Sequence, residues 1–151
     1  MRKYLILLVI LSFTLINCEK DDICIETTTP KLIIIFYNNA TPATKKAVNS
    51  LTVWVDGKTN IYENKSIDSI AIPLNLTQNS TLYKFKSGTI IDSVNFTYDR
   101  KDVFVSLSCG YKTIFENLQI ESRSANWIKN DTLKNTTIEN ETAAHQDVNE
   151  K

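Results

Sequence analysis

Hydrophobic side chains recur at every second position along most of this chain, and no window of about 11 residues or more carries them at helical spacing. Successive side chains of a strand point to opposite faces, so each such run is a half-buried strand that has to pair and cover its apolar side. Residues 32–37 (Leu-Ile-Ile-Ile-Phe-Tyr) are apolar on both parities, as a central or doubly covered strand requires. Leu51, Val53 and Val55 alternate with Thr52, Trp54 and Asp56, and Asp56-Gly57 is a strong two-residue hairpin signal. Ile70, Ile72, Leu74 and Leu76 share a face, and Pro73, lacking a donor, places that strand at a sheet edge. Tyr83 and Phe85 alternate with lysines before a turn at Ser87-Gly88, and Ile90, Val94, Phe96 and Tyr98 then line one side. Asp99-Arg100-Lys101-Asp102 reads as a polar connection, after which Val103, Val105, Leu107, Cys109, Tyr111, Thr113 and Phe115 keep one parity.

About six or seven short strands at turn spacing predict an all-β domain over residues 24–128, an antiparallel β-sandwich of immunoglobulin-like type. A closed barrel is the alternative that strand count leaves open. From residue 129 to 151 the composition turns to Asn, Thr, Glu and Lys, with Leu133, Ile138 and Val148 the only sizeable apolar residues. A segment so poor in burial is expected to be a mobile tail, with an additional edge strand near residues 136–138 as the exception. Trp127 and Ile128, just before it, are expected to dock on the core.

The first 17 residues have a different character. Arg2 and Lys3 precede an unbroken apolar run over residues 5–11, and the stretch from Tyr4 to Ile16 is 13 residues, short of the roughly 20 that span a bilayer. A basic head followed by a short apolar region describes an export signal, and an uncleaved anchor is the rival reading. Leu15-Ile16-Asn17-Cys18 resembles the lipobox of bacterial lipoproteins, departing from it in Asn17, where Gly, Ala or Ser is usual. The resemblance implies acylation of Cys18 as the new N-terminus and a covalent lipid as the sole attached group. Glu19-Lys20-Asp21-Asp22 resembles the surface-export signal of Bacteroidota lipoproteins, with Lys20, Asp21 and Asp22 as its residues, inside a tether of residues 18–23. Without the leader, 15 basic side chains face 17 acidic ones, a net −2 that offers no electrostatic reason to bind nucleic acid.

Three cysteines in an exported chain need an account. Acylation of Cys18 leaves Cys24 and Cys109 to pair in a compartment that permits disulfides. The parity of Cys109 with Val103, Val105 and Phe115, and of Cys24 with Leu32, Ile34 and Phe36, predicts that both sulfurs face the core. The rival reading makes Cys109 a nucleophile with His145, the sole histidine, as its base, but no orienting group accompanies them.

No catalytic or metal constellation is legible. Asp99 and Asp102 could meet a calcium ion weakly, although a solvated turn explains them as well. Trp54, opposite Leu51, Val53 and Val55, is a candidate platform for stacking a glycan, or else a packed outward tryptophan. Asp68-Ser69-Ile70, Asp92-Ser93-Val94 and Asp131-Thr132-Leu133 resemble the Asp-Ser/Thr-apolar acceptor of Bacteroidota O-glycosylation, at Ser69, Ser93 and Thr132. Such triplets are also ordinary turn chemistry.

The stretch from Cys24 to Pro30 with the strand that follows, Asp68-Ser69-Ile70-Ala71-Ile72-Pro73-Leu74, and the run from Val103 through Cys109-Gly110-Tyr111-Lys112-Thr113 resemble a family of uncharacterised Bacteroidota lipoproteins. The likeness implies no activity. The expected role is non-enzymatic: binding or structural work at the outer membrane or cell surface, the lipid anchor holding the membrane and an outer-membrane protein complex as partner. The alternative is a glycan- or peptide-capturing module of an outer-membrane uptake system.

Overall fold

A computed structural model describes Cys24 and residues 29–150. Among the described residues nine strands form: β1 (Leu32–Asn38), β2 (Val48–Trp54), β3 (Tyr62–Ile67), β4 (Ser69–Ile72), β5 (Ser80–Ser87), β6 (Ile90–Ser106), β7 (Gly110–Arg123), β8 (Ile128–Leu133) and β9 (Gln146–Glu150). They make two sheets, β4-β1-β9-β8 and β3-β2-β5-β6-β7, whose inner faces enclose one apolar core, so the fold is a β-sandwich. Leu32, Ile34 and Phe36 from one sheet meet Leu51, Val53, Tyr83, Phe85, Phe96 and Phe115 from the other. Those are the alternate positions that the two-residue period singles out.

The sheets are not wholly antiparallel. β9 lies between β1 and β8 and runs parallel to β1, with Ile34 opposite Gln146 and Phe36 opposite Val148. This overturns the mobile tail expected over residues 129–151, which supplies a central strand and its neighbour. The inner face of β9 is Gln146, Val148 and Glu150, two polar residues of three, so apolar content could not reveal it. Ladders on both sides satisfy its backbone, and Lys46 pairs with the buried Glu150 carboxylate at 3.4 Å. Between β8 and β9 the chain returns to the other sheet: Ile138 exchanges both backbone hydrogen bonds with Phe115, at 2.7 and 3.1 Å, and Ile138 is fully buried. The β7–β8 link crosses between the sheets and the β8–β9 link bridges back to β7.

Two further expectations fail for local reasons. Residues 99–102 are no connection, because β6 runs straight through them in register with β7. Ile90 stands 47% exposed at the β5–β6 turn, while Asp92, two residues on, occupies the core-facing parity. β4 is an edge strand, as Pro73 implies, and Gly57 takes the positive φ (76°) that the Asp56-Gly57 turn requires.

Candidate functional site: the disulfide-tied hairpin

β5 accompanies β6 only as far as Thr97, opposite Ser80; beyond it β6 pairs with β7 alone out to Ser106. That distal ribbon is about 30 Å long at 3.3 Å per residue. Its twist is adjusted at a bulge where Asn117 adopts φ 53° and donates from Nδ2 to Asp99 Oδ2 at 2.7 Å. Asparagine is among the few side chains that tolerate this region. At the tip, the Ser106 Oγ accepts the Cys109 N–H at 3.1 Å and Gly110 takes φ 71°. Phe104 and Tyr111 oppose one another across the strands with ring centroids 5.5 Å apart, edge to face. Both are mostly exposed, and Leu107, in the turn, is 98% exposed.

Cys109 in this turn is bonded to Cys24, with Cα atoms 4.9 Å apart. The pairing joins the two cysteines left after Cys18, but not in the core. Cys24 is exposed and Cys109 half-buried, since the Ser106–Gly110 turn breaks the parity on which Cys109 is expected to face inward. Just beyond the bond, the Thr113 N–H donates to Thr29 Oγ1 at 3.2 Å and Pro30 is buried, so the lead-in to β1 is held against the hairpin.

The disulfide removes Cys109 as a nucleophile. His145 is occupied elsewhere: its ring Nδ1 accepts the Ile33 N–H and its backbone N–H donates to the Ile33 carbonyl, both at 3.0 Å, extending the parallel ladder by one residue. It is 3% exposed, and burial holds its pKa below the usual 6.5 against the Asn140 backbone and the Glu141 charge, which pull upward. The imidazole is a neutral structural acceptor. Asp99 and Asp102 accept from Asn117 and Thr113 across the hairpin, and no group of three or more His, Cys, Asp or Glu among the described residues could hold a metal ion.

Trp54 is half-buried on the outward face of β2, across from Lys84, and donates from Nε1 to Asp56 Oδ1 at 3.2 Å. Of the three hydroxyls in Asp-Ser/Thr triplets, Ser69 and Ser93 are half-buried in strands and Thr132 is exposed. Cys18, Lys20, Asp21 and Asp22 lie outside the described residues.

Sequence reasoning missed Asp92 as more than part of an acceptor triplet. Its fully buried carboxylate accepts the Ser124 hydroxyl (2.6 Å) and Asn126 N–H (2.8 Å) on Oδ1, and the Trp127 and Ile128 N–H groups (2.8 Å each) on Oδ2. Burial pushes this carboxyl's pKa up, but the four donors outweigh it and the pKa falls below its ordinary value. The group fastens the crossover from β7 to β8 and seats Trp127, whose Nε1 donates to the Phe85 carbonyl at 3.1 Å. An acidic residue on the parity of Val94, Phe96 and Tyr98 was the available signal.

Two clefts accompany these features. One of about 420 Å³ lies in the β8–β9 connection among Lys134, Asn135, Thr137, Asn140 and His145. Another of about 400 Å³ is bounded by Val55, Ile61, Pro73, Leu74 and Tyr83. Neither assembles a nucleophile beside a base.

Comparison with curated proteins and with solved structures gave no match. A family model does match, over residues 50–148, and so takes in the hairpin, β8 and the first three residues of β9. The chain belongs to this family, described as a family of unknown function (DUF6452).

Proposed function

We propose that this chain is a bacterial envelope lipoprotein: residues 1–17 are removed, Cys18 carries the acyl chains, and the sandwich is held at the outer membrane by a short tether. Lys20, Asp21 and Asp22 direct it to the outer face. There it works by binding, as an accessory or structural component alongside an outer-membrane protein complex. The observation that supports this best is the Cys24–Cys109 disulfide. It uses two of the three cysteines, suits an oxidising compartment, and leaves Cys18 as the odd one. Two or more acyl chains give stable anchoring, since each buried methylene adds about 0.8 kcal/mol. Radiolabelled palmitate enters the protein, and Cys18→Ala releases it from the membrane fraction; a Cys18→Ala protein that stays membrane-bound and unlabelled wild type would overturn the reading.

A second reading, capture of a glycan or peptide for an uptake system, draws on the outward, half-buried Trp54. It requires glycan-array binding that Trp54→Ala abolishes.

A further inference from the structure

We infer that the tip of the β6–β7 hairpin docks into the lipid surface that holds Cys18, with Phe104, Leu107 and Tyr111 seated in the interfacial layer. The inference rests on the acylation proposed above.

Exposed apolar side chains scattered singly need no explanation, but these three gather at one hairpin tip. Phe104 (56% exposed) and Tyr111 (71%) stack across the ribbon and Leu107 (98%) crowns the turn between them. Each stays more than half exposed, on a ribbon that extends beyond the end of β5.

What selects a lipid partner is where the chain leaves the domain. Cys24 is covalently fixed to Cys109, two residues from Leu107, so the polypeptide departs at this tip and not at the opposite end. Five residues lie between Cys18 and Cys24, and the six Cα–Cα steps across them reach at most about 21 Å when fully extended. The acyl anchor therefore confines the tip to the immediate neighbourhood of the bilayer. The other exposed apolar pair on this strand, Ile90 and Ile91, starts β6 at its far end, roughly 50 Å away along the strand.

The charges near the tip set the chemistry of the surface. Lys101 is paired with Glu116 at 3.1 Å, the Lys112 Nζ donates to the Glu139 carbonyl at 3.3 Å, and Asp102 accepts from Thr113. With no cationic excess, the tip is built for the apolar boundary of the membrane and not for anionic headgroups. Tyrosine, with an apolar body and a polar end, suits that boundary.

The test uses the full mature chain from Cys18, coupled through that thiol to a maleimide lipid in phosphatidylcholine vesicles. Leu107→Trp and Ile91→Trp variants are compared in vesicles with and without brominated acyl chains, the signal of Trp54 and Trp127 being subtracted from the parent protein. Brominated chains are expected to remove about half or more of the indole emission at position 107, which sits about 5–10 Å into the boundary layer, and to leave position 91 unchanged. No quenching at 107 in protein that floats with the vesicles overturns the proposal. So does a blue shift at 107 that tracks protein concentration without lipid, which would assign the tip to a second copy. The acylation itself is decided separately, by intact mass of protein from its own envelope, because the synthetic tether bypasses it.

Discussion

Replacing Asp92 with alanine should cost this domain more than any other single change to a polar residue. The carboxylate is fully buried and accepts four hydrogen bonds between 2.6 and 2.8 Å, three of them from consecutive backbone N–H groups of residues 126–128. Hydrogen bonds to a charged acceptor contribute about 1.5–3 kcal/mol each, but four to one group are not additive, and residue 126 lies near enough to the surface to recruit water. We therefore expect a loss of about 3–5 kcal/mol, against a total of about 5–15 kcal/mol for a domain of this kind. With a urea slope of about 1–3 kcal/mol/M, the midpoint should fall by roughly 2 M. Asp99→Ala, at an exposed site with one side-chain partner, is the control and should stay within about 0.5 kcal/mol. The pH dependence has a definite sign. The folded pKa lies below the ordinary 3.8, so the stabilisation is complete above 3.8 and is lost as pH falls through the lower folded value. Urea titrations at pH 7 and pH 3, disulfide intact, should show the gap between wild type and Asp92→Ala narrowing in acid. If Asp92→Ala unfolds within about 0.5 kcal/mol of wild type at pH 7, the carboxylate does not hold the crossover and the reasoning is refuted.

Other consequences are equally direct. Replacing Cys24 and Cys109 by serine opens a loop of 85 residues' separation and should cost about 4–5 kcal/mol by chain entropy, measured as a midpoint shift between the variant and the oxidised protein. His145 has a folded pKa below 6.5, so its share of stability is complete above pH 6.5 and declines as pH falls below it; wild type should lose more than His145→Asn between pH 7.5 and 5.5. Glu150, whose pKa burial raises above 4.5, works in the opposite direction, which is why the difference between the two proteins is the quantity to measure. A chain ended after residue 140 lacks β9 and should show no cooperative thermal transition by circular dichroism, whereas a dispensable tail would leave the melt unchanged. If glycosylation follows folding, intact mass and peptide mapping should find a glycan at exposed Thr132 and none at Ser93, whose neighbour Asp92 is consumed in the core.

The amino-acid order alone determined the class of fold and the inner faces of most strands, because a two-residue period can be satisfied only by pairing and half-burial. It also singled out Cys24 and Cys109 as partners by simple counting. It could not reveal β9, whose inner face is mostly polar and whose place depends on β1, over a hundred residues earlier in the chain. Nor could it place the disulfide: parity carried across a turn mis-assigned Cys109 to the interior, when the bond in fact braces the exposed end of a long ribbon. Asp92 shows the same division. Its acidic character at a core parity was visible from the start, but its purpose needed residues 124–128 brought back across 32 positions or more, and only tertiary structure brings donors that distant to one carboxylate.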